Sequence, residues 1–203
     1  YLIPTTEVVT LTLQEILNTI RLKFPHSYDD SDITPMVNDA QRLIFRTMYK
    51  PVTATVYDII ADNPFYPVSF SPENITDVVV QGREYPYQNI KYDAQYYYYY
   101  ITDDNCIGLY PTPVKDVTNG MTVFRYKEPE PLSNMSDIPE LDAAWHMMLV
   151  YRPCRELAAM AMRDDMVSTF IWEINELDKQ FYKSIQARPH RIQDVYGIGR
   201  GAF

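Results

Sequence analysis

The three histidines are the first residues to consider, because acid–base or nucleophilic catalysis would normally need one of them beside a partner. His26 stands next to a proline in a predicted loop, His146 lies on a predicted helix, and His190 lies near the end of the chain. His146 and Cys154 are eight residues apart, which on a straight helix is a rise of about 12 Å, too far for a nucleophile and its base. The histidines therefore indicate no catalytic centre, and His146 is predicted to be a structural residue of a helix surface or the core.

The acidic clusters and the glycines give equally weak signals for a metal or a cofactor. Residues 29–32 (DDSD) lack the glycine and the closing glutamate of a calcium-binding EF-hand, so they predict a solvated turn with helix-capping aspartates. The pair Asp103 and Asp104 has no further ligand near it in sequence. Residues 197–201 (GIGRG) resemble part of a dinucleotide fingerprint, but they follow a helix and precede none. We predict no enzyme activity, no metal and no cofactor.

Composition and charge limit the class of partner. The 203 residues include 27 acidic and 18 basic side chains, a formal charge of −9, so the chain as a whole repels phosphate and does not resemble a sequence-specific DNA-binding protein. An acidic surface around a duplex can, however, leave DNA mobile, as a conduit requires. The 18 tyrosines are an excess that suits surfaces covered by another protein, because the ring is apolar and its hydroxyl tolerates water.

The cysteines and the hydropathy bear on the cellular compartment. Cys106 and Cys154 form no CxxC motif, and both are predicted to be buried free thiols. No apolar run approaches the ~18 residues of a membrane span, and no signal peptide opens the sequence. We expect a soluble protein made inside a cell. The sequence begins at Tyr1 and not at Met, so residues preceding Tyr1 are left open.

Two helices are predicted near the start of the sequence. The stretch 11–24 has apolar residues at helical spacing, a capping box of Thr12 and Glu15, and a stop at Pro25. A second helix is predicted to begin with Thr34 as its N-cap and Pro35 as its first residue, and to end before Pro51. The two would form a helical hairpin.

A β-rich segment is predicted from Val52 to Lys127, with four to six short antiparallel strands separated by prolines and by Asn119-Gly120. A strand through its tyrosine run would present alternate rings on opposite faces, so at least one aromatic face should be covered by a neighbour. One face would carry three rings and the other two. The interface candidates of this unit are Tyr96, Tyr98 and Tyr100 on the first face, and Tyr97 and Tyr99 on the second.

Two more helices and a tail are predicted after the β-rich segment. Asp137 and the following Ile-Pro-Glu are predicted to begin the third helix, which Pro153 should kink. The fourth begins near Asp164 and ends at Pro189. Its apolar stripe comprises Val167, Phe170, Ile171, Ile174, Leu177, Phe181 and Ile185, and Trp172 and Tyr182 lie off that stripe. If the chain is a subunit of a ring, a neighbouring subunit should cover Trp172 and Tyr182.

The predicted fold class is therefore α+β, mainly a bundle of about four helices with an inserted small antiparallel β unit and an extended C-terminal tail. The predicted domains are a helical core of residues 1–51 and 132–187, a β-rich insertion of residues 52–131, and a C-terminal arm of residues 188–203. The arm has three arginines and one aspartate, a charge of +2, which leaves −11 on the rest of the chain.

Three short motifs in a fixed order carry a resemblance to a known family. They are Leu109-x-Pro111-x-Pro113 at the end of a strand, Tyr126 followed by a proline-rich link, and Ile138-Pro139-Glu140 before a helix. In this order, and in its helical hairpin and β insertion, the chain resembles the head-to-tail connectors, or tail and portal adaptors, of tailed bacteriophages, over residues 11–187. The tyrosine run and Pro153 depart from the family's pattern.

The resemblance implies a structural virion protein of the neck, made in the host cytoplasm, whose helical core packs into a ring of twelve subunits. It implies partners in the phage portal protein and in tail or nozzle proteins, and passing genomic DNA that makes no sequence-specific contact. It also implies that the C-terminal extension docks on the portal, and the residues of this portal-docking arm would be Arg188, Arg191, Tyr196, Arg200 and Phe203. An alternative left open is a tyrosine-rich binding module that recognises a glycan or another tail protein.

Overall fold

The computed structural model describes residues 10–89 and 96–187, which fall into two compact units. The first, here called the helical unit, contains residues 10–50 and 128–187. The second, the β unit, contains residues 51–89 and 96–127. Four α-helices and two antiparallel sheets make the chain an α+β protein, which confirms the predicted fold class.

The helical unit buries one apolar core to which all four helices contribute. A five-residue π-helical turn, Phe45–Tyr49, follows the second helix, and a short 3₁₀ turn, Ala143–Trp145, precedes the third. The helices are α1 (Leu13–Lys23), α2 (Asp30–Ile44), α3 (Met148–Met160) and α4 (Asp164–Ala187).

Helix α1 begins as its sequence predicts. The Thr12 hydroxyl accepts a hydrogen bond from the Glu15 amide at 3.4 Å, and the Glu15 carboxylate accepts one from the Thr12 amide at 2.8 Å. This reciprocal capping satisfies two donors at the end of the helix. The predicted apolar positions Leu13, Ile16 and Leu17 are buried, so the helical periodicity identified the core face correctly.

Helix α2 begins at Asp30, five residues earlier than the predicted Pro35. The Asp32 carboxylate accepts a hydrogen bond from the Asp29 amide at 3.2 Å. The Thr34 hydroxyl donates to the Asp30 carbonyl at 2.7 Å, and Pro35 lies inside the helix. The prediction of Thr34 as the N-cap was therefore wrong. For residues 29–32 the predicted helix-capping role is confirmed for Asp29, whereas the predicted solvated turn is wrong, because residues 30–32 belong to the first turn of α2.

The prediction that Asp137 begins the third helix was also wrong. The Asp137 carboxylate accepts backbone hydrogen bonds from Ser133 and Asn134, both at 2.8 Å, and so closes a loop. Helix α3 begins only at Met148, and His146 precedes it in a turn. An aspartate that accepts nearby amide hydrogens has the same local sequence in a loop as at a helix start.

Further along α3, Pro153 lies well inside the helix, which continues to Met160. Its nitrogen has no hydrogen to donate to the Leu149 carbonyl. The kink expected at this residue stays a prediction.

The linker that returns from the β unit is held to α1 and α2 by backbone and side-chain hydrogen bonds. The first amides of α1, those of Leu13 and Gln14, donate to the carbonyls of Asp137 and Met135 at 2.8 and 3.0 Å. On α2, the Asn38 side chain both accepts from and donates to the backbone of one linker residue, Leu132, at 2.8 and 3.0 Å, and Gln41 donates to the Glu130 carbonyl at 3.1 Å. The helical unit therefore depends on contacts between residues about 90 to 125 positions apart in the chain.

The β unit has seven strands in its described part, more than the four to six predicted. They form a four-stranded sheet of order β1-β7-β3-β4 and a three-stranded sheet of order β2-β6-β5, with every pairing between strands antiparallel. The strands are β1 (Val52–Ile59), β2 (Phe65–Pro67), β3 (Ile75–Val80), β4 (Arg83–Tyr85), β5 (Tyr98–Ile101), β6 (Cys106–Tyr110) and β7 (Val117–Tyr126).

Asn119-Gly120 lies inside β7 and does not separate two strands, contrary to prediction. Between the pairs Tyr57 to Met121 and Ile59 to Val117, β7 has two more residues than β1, and Asn119 has a positive φ of 53° in this bulge. A Cβ on Gly120 would lie 2.8 Å from Cδ1 of Ile59. The dipeptide that often forms a hairpin turn here forms a strand irregularity instead.

The tyrosine run only partly forms a strand. Tyr96 and Tyr97 precede β5, which begins at Tyr98. Tyr98 and Tyr99 are both buried, so in a strand both faces are covered at this point. Gly108 lies opposite Tyr100 on β6, and a Cβ there would lie 2.3 Å from the tyrosine ring, so only glycine leaves room for that ring.

Candidate interaction surfaces

His146 is a core residue whose two ring nitrogens are both engaged by the backbone. Nδ1 accepts a hydrogen bond from the Leu11 amide at 3.0 Å, and Nε2 donates to the Leu141 carbonyl at 2.8 Å. Burial lowers the pKa of His146 below its ordinary value of 6.5, because the charged imidazolium would be poorly solvated. The geometry gives this histidine a structural role, in agreement with the sequence analysis.

The other residues considered for chemistry do not assemble into a site. Both ring nitrogens of His26 are buried without a partner among the described residues, beside a cavity of about 590 Å³. His190 lies outside the described residues. Asp103 and Asp104 occupy the turn between β5 and β6. Within residues 10–89 and 96–187, no three His, Cys, Asp or Glu side chains come together as a group that could hold a metal ion.

The two cysteines are free thiols in different environments. Cys154 is fully buried in α3, where its Sγ lies 3.9 Å from the Ile20 carbonyl oxygen, and burial raises its pKa to about 12. Cys106, the first residue of β6, is half-buried. The prediction of unpaired cysteines is confirmed, but full burial applies only to Cys154.

Helix α4 exposes large apolar side chains in the described structure. Trp172 is 62% exposed and Tyr182 is 54% exposed. Ile171, which the sequence analysis assigned to the buried stripe, is also exposed, so that assignment was wrong. Ile171 and Tyr182 are eleven residues apart and lie on nearly the same side of the helix, about three turns from each other, with Trp172 about 100° away around the axis.

An ion pair and aromatic packing hold α4 in place against the rest of the helical unit. Arg152 on α3 and Asp178 on α4 form an ion pair with an N–O distance of 2.6 Å, and the arginine is buried. On the core side of α4, Phe170 and Phe181 are buried, and Phe181 packs edge-on against Trp145 with ring centroids 5.2 Å apart. The rotation of α4 is thereby set by its buried face, which leaves the exposed residues in a defined position.

The five tyrosines of the run differ in accessibility. Tyr96 is 73% exposed, and Tyr97 is exposed with the guanidinium of Arg83 4.3 Å from its ring centroid. Tyr98 stacks on Tyr110 with centroids 4.8 Å apart, and the inward-facing rings of this run belong to the unit's own packing. Of the candidate interface residues, Tyr96 and Tyr97 therefore offer the accessible surface.

The residues predicted to dock on the portal all lie outside the described residues. They are Arg188, Arg191, Tyr196, Arg200 and Phe203. Their role remains a proposal that depends on the sequence alone.

The described residues bring together exposed apolar side chains on α4 and no catalytic or metal-binding group, and comparison with known sequences identifies the family. Residues 11–193 match the SU10 adaptor protein family. The chain belongs to this family. The match includes the helical hairpin, the β insertion and the last two helices, which is the whole length over which the sequence resembled a phage adaptor. Comparison with curated protein sequences found no match.

Membership of the SU10 adaptor family makes the protein a structural adaptor of a phage and a component of the virion that contacts other virion proteins. In the part of the chain that the structure describes, no helix has the length and apolar character needed to cross a lipid bilayer. Sequence analysis missed two exposed residues that a docking surface could use, Ile171 and Tyr87. Periodicity could not separate Ile171 from its buried neighbours, and Tyr87 is one of many tyrosines.

Proposed function

We propose that this SU10 adaptor is a ring-forming head-to-tail connector of the virion neck. In this proposal it binds the portal, links the portal to tail or nozzle proteins, and forms part of the channel through which DNA passes during ejection. A ring of twelve subunits follows from the resemblance to portal adaptors. The protein acts by binding and not as an enzyme.

The exposed face of α4 is the observation that supports the proposed ring of subunits. Trp172, Tyr182 and Ile171 expose large apolar side chains on one helix whose opposite side is committed to the core. Covering such exposed aromatic side chains by a neighbouring molecule is favourable, because it removes apolar surface from water. Aromatic residues are also enriched among the interface residues that contribute most of the binding free energy. A neighbouring subunit of a ring would supply that cover.

The C-terminal arm is proposed to contact the portal. Residues 188–203 carry a charge of +2 on an otherwise acidic chain, and they include two aromatic side chains, Tyr196 and Phe203. Arginines pair well with carboxylates at protein surfaces, and aromatic residues serve as anchors in interfaces. The remaining charge of −11 would leave the rest of the chain unattractive to DNA phosphates, as a channel needs.

Mass photometry of the full chain, alone and with portal protein, tests the ring. We expect complexes of many subunits with portal, and we expect Trp172→Ser and Tyr182→Ser each to shift the assembly equilibrium by at least tenfold toward the monomer. Tyr96→Ser is the matched control, because Tyr96 is at least as exposed but belongs to the β unit. A chain that stays monomeric with portal, or equal effects of all three substitutions, would contradict the proposal.

Deletion of residues 190–203 tests the arm separately. We expect a folded protein with an unchanged far-ultraviolet circular dichroism spectrum that no longer associates with portal. A variant with Arg188, Arg191 and Arg200 changed to Ala should weaken association more strongly at low salt than at high salt, because screening already reduces the ionic contribution at high salt. Unchanged association of the deletion variant would refute the docking role and leave the ring proposal intact.

A further inference from the structure

The β unit contains a cavity that the proposed assembly does not use. Its volume is about 480 Å³, within the range of sites that hold a small ligand or a side chain. Strands of both sheets contribute to its wall, β3 from the four-stranded sheet and β5 from the three-stranded one. The lining residues are Pro72, Glu73, Ile75, Thr76, Tyr87, Tyr99 and Ile101.

One lining residue lies in a β-bulge and has a buried hydroxyl. Ile75 pairs with Arg125 and Asp77 pairs with Phe124, so Thr76 is the extra residue of β3 at this position. Its Oγ1 is buried and has no hydrogen-bond partner among the described residues. A buried hydroxyl without a partner costs free energy, because it has lost the hydrogen bond that water would give it. A bound group that reaches Thr76 would therefore recover this cost.

Two tyrosine rings form an aromatic wall of the same cavity. Tyr87 and Tyr99 lie with ring centroids 5.4 Å apart, and Tyr87 is 52% exposed. Two backbone hydrogen bonds hold the Tyr87 segment beside β5: the Gln88 amide donates to the Tyr99 carbonyl at 2.9 Å, and the Tyr99 amide donates to the Pro86 carbonyl at 3.0 Å. The exposed ring is thus presented on a fixed backbone and not on a free loop.

The charge around the cavity is negative. Glu73 is the one charged residue among the described lining residues, and it is exposed at the 3₁₀ turn before β3. A second carboxylate, that of Asp77 on β3, follows the lining residue Thr76 in sequence. Burial raises the pKa of Tyr99, and the Asp77 carboxylate raises it further. Phosphate and carboxylate ligands would be repelled here, whereas a cation would be attracted.

The β unit already packs guanidinium groups on aromatic rings elsewhere. The Arg83 guanidinium lies 4.3 Å from the Tyr97 ring centroid, and the Arg125 guanidinium lies 4.3 Å from that of Phe70. Both pairs join residues of the described β unit, and Arg83 and Tyr97 also line another cavity. No described residue places a cation on the Tyr87 ring, whose environment offers the same kind of contact.

The geometry points to this cavity as a receptor for one arginine or lysine side chain, carried by another protein of the virion. The Tyr87 ring would receive the cation on its face, the Glu73 carboxylate would pair with its charge, and the Thr76 hydroxyl would accept an N–H hydrogen bond. Arginine fits better than lysine, because its planar group can stack on the ring while its edge donates several hydrogen bonds. The site uses no residue of α4 or of the arm, so it does not depend on the proposed ring.

Saturation-transfer NMR on the full-length protein tests the assignment, with acetyl-Gly-Arg-Gly-amide as the probe. The matched probe has citrulline in place of arginine, which keeps the shape and removes the charge. We expect a Kd on the order of 1 mM for the arginine probe and at least tenfold weaker binding of citrulline. Binding of the arginine probe should weaken as NaCl rises from about 0.05 M to about 0.5 M.

Matched variants locate the binding. Tyr87→Leu should weaken the arginine probe at least fivefold and Glu73→Gln about threefold. Tyr96→Leu and Glu84→Gln should leave it unchanged, because these exposed residues do not line the cavity. Glu73→Gln changes an exposed side chain, so it remains informative should Tyr87→Leu unfold the unit.

Several outcomes would overturn the assignment. Equal binding of the citrulline probe would show that charge is not recognised. Saturable binding of maltose or cellobiose that Tyr87→Leu abolishes, without arginine binding, would make the cavity a carbohydrate site instead. Absence of arginine binding up to about 10 mM, or equal effects of the lining and control variants, would show that the cavity is no receptor for a basic side chain.

Discussion

The helical unit and the β unit bury polar groups in different ways. In the helical unit, two buried polar side chains have specific partners: Arg152 pairs with Asp178, and His146 bonds two backbone groups. In the described β unit, four tyrosines are buried, and one of them, Tyr98, stacks on the ring of Tyr110. These polar contacts in the helical unit depend on specific partners, whereas the tyrosines of the β unit depend on how their rings pack.

This difference implies different weak points. Removing one member of a matched pair leaves its partner buried and unsatisfied, which is costly. Removing an aromatic ring, or adding an atom beside one, changes the packing of the core. The resulting loss of stability depends on how far the neighbouring side chains can move. The four predictions below test this contrast from the largest expected effect to the smallest.

We expect Asp178→Ala to lower the free energy of unfolding of the helical unit by about 3 kcal/mol, because Arg152 then stays buried without its counter-ion. Urea unfolding followed by circular dichroism at 222 nm measures the change. Asp39→Ala is the control, because Asp39 pairs with Arg42 on the exposed surface and its loss should cost less than about 0.5 kcal/mol. Equal effects of the two substitutions would show that the buried Arg152 does not depend on its counter-ion.

Gly108→Ala should destabilise the β unit by about 2 kcal/mol, because the new Cβ would lie 2.3 Å from the Tyr100 ring. Urea unfolding followed by tyrosine fluorescence measures this change. The double variant with Tyr100→Ala should cost clearly less than the sum of the two single variants, because removal of the ring relieves the clash. Additive effects would show that the ring is not held against Gly108.

The stability of the helical unit should fall as the pH drops below about 6.5. Burial lowers the pKa of His146 in the folded state, so the unfolded chain takes up a proton between its ordinary pKa of 6.5 and the lower folded value. The stabilisation is complete above 6.5 and is lost as the pH falls, by at most about 1.4 kcal/mol per pH unit for one proton.

Thermal unfolding between about pH 7.5 and 5.5 checks this dependence on His146. His146→Gln should flatten the profile, because the variant side chain does not titrate in this range. A profile that rises toward low pH would mean that the imidazolium is favoured in the fold, contrary to its contacts with Leu11 and Leu141.

The smallest effect concerns reactivity and not stability. Burial raises the pKa of Cys154 to about 12, so almost no thiolate is present at neutral pH, whereas Cys106 is partly accessible. Labelling of the native protein with Ellman's reagent should modify Cys106 alone, and Cys154 should react only in denaturant. Cys106→Ser supplies the control, since it should abolish labelling of the folded protein.

Sequence reasoning succeeded where structure depends on nearby residues. The capping box of Thr12 and Glu15 spans three residues, and the start of α4 near Asp164 is marked by acidic residues and a long periodic stripe. The β-rich nature of residues 52–127 followed from its composition, since β-branched and aromatic residues pack well on a pleated surface. These features required no knowledge of distant contacts.

Sequence reasoning failed where a residue distant in the chain determines the local structure. Asp137 has the local sequence of a helix N-cap, but its carbonyl accepts the first amide of α1, a residue 124 positions away. Asn119-Gly120 has the sequence of a turn, but β1 and β3 both pair with the strand that contains it. In the candidate surfaces, periodicity placed Ile171 in the core, because the width of the buried stripe on α4 depends on which helices cover it.

The hydrogen bonds from Leu13 and Gln14 to Asp137 and Met135 also constrain the order of folding. The strands that lie between these two regions in sequence pair among themselves, so the β unit can form as soon as its own residues are synthesised. The helical unit must wait for the linker beyond Glu128, and closing so long a loop slows its first contacts. A prefolded β unit shortens the effective length of that loop. We therefore expect the β unit to fold first on the ribosome, before the helices that flank it in sequence can pack together.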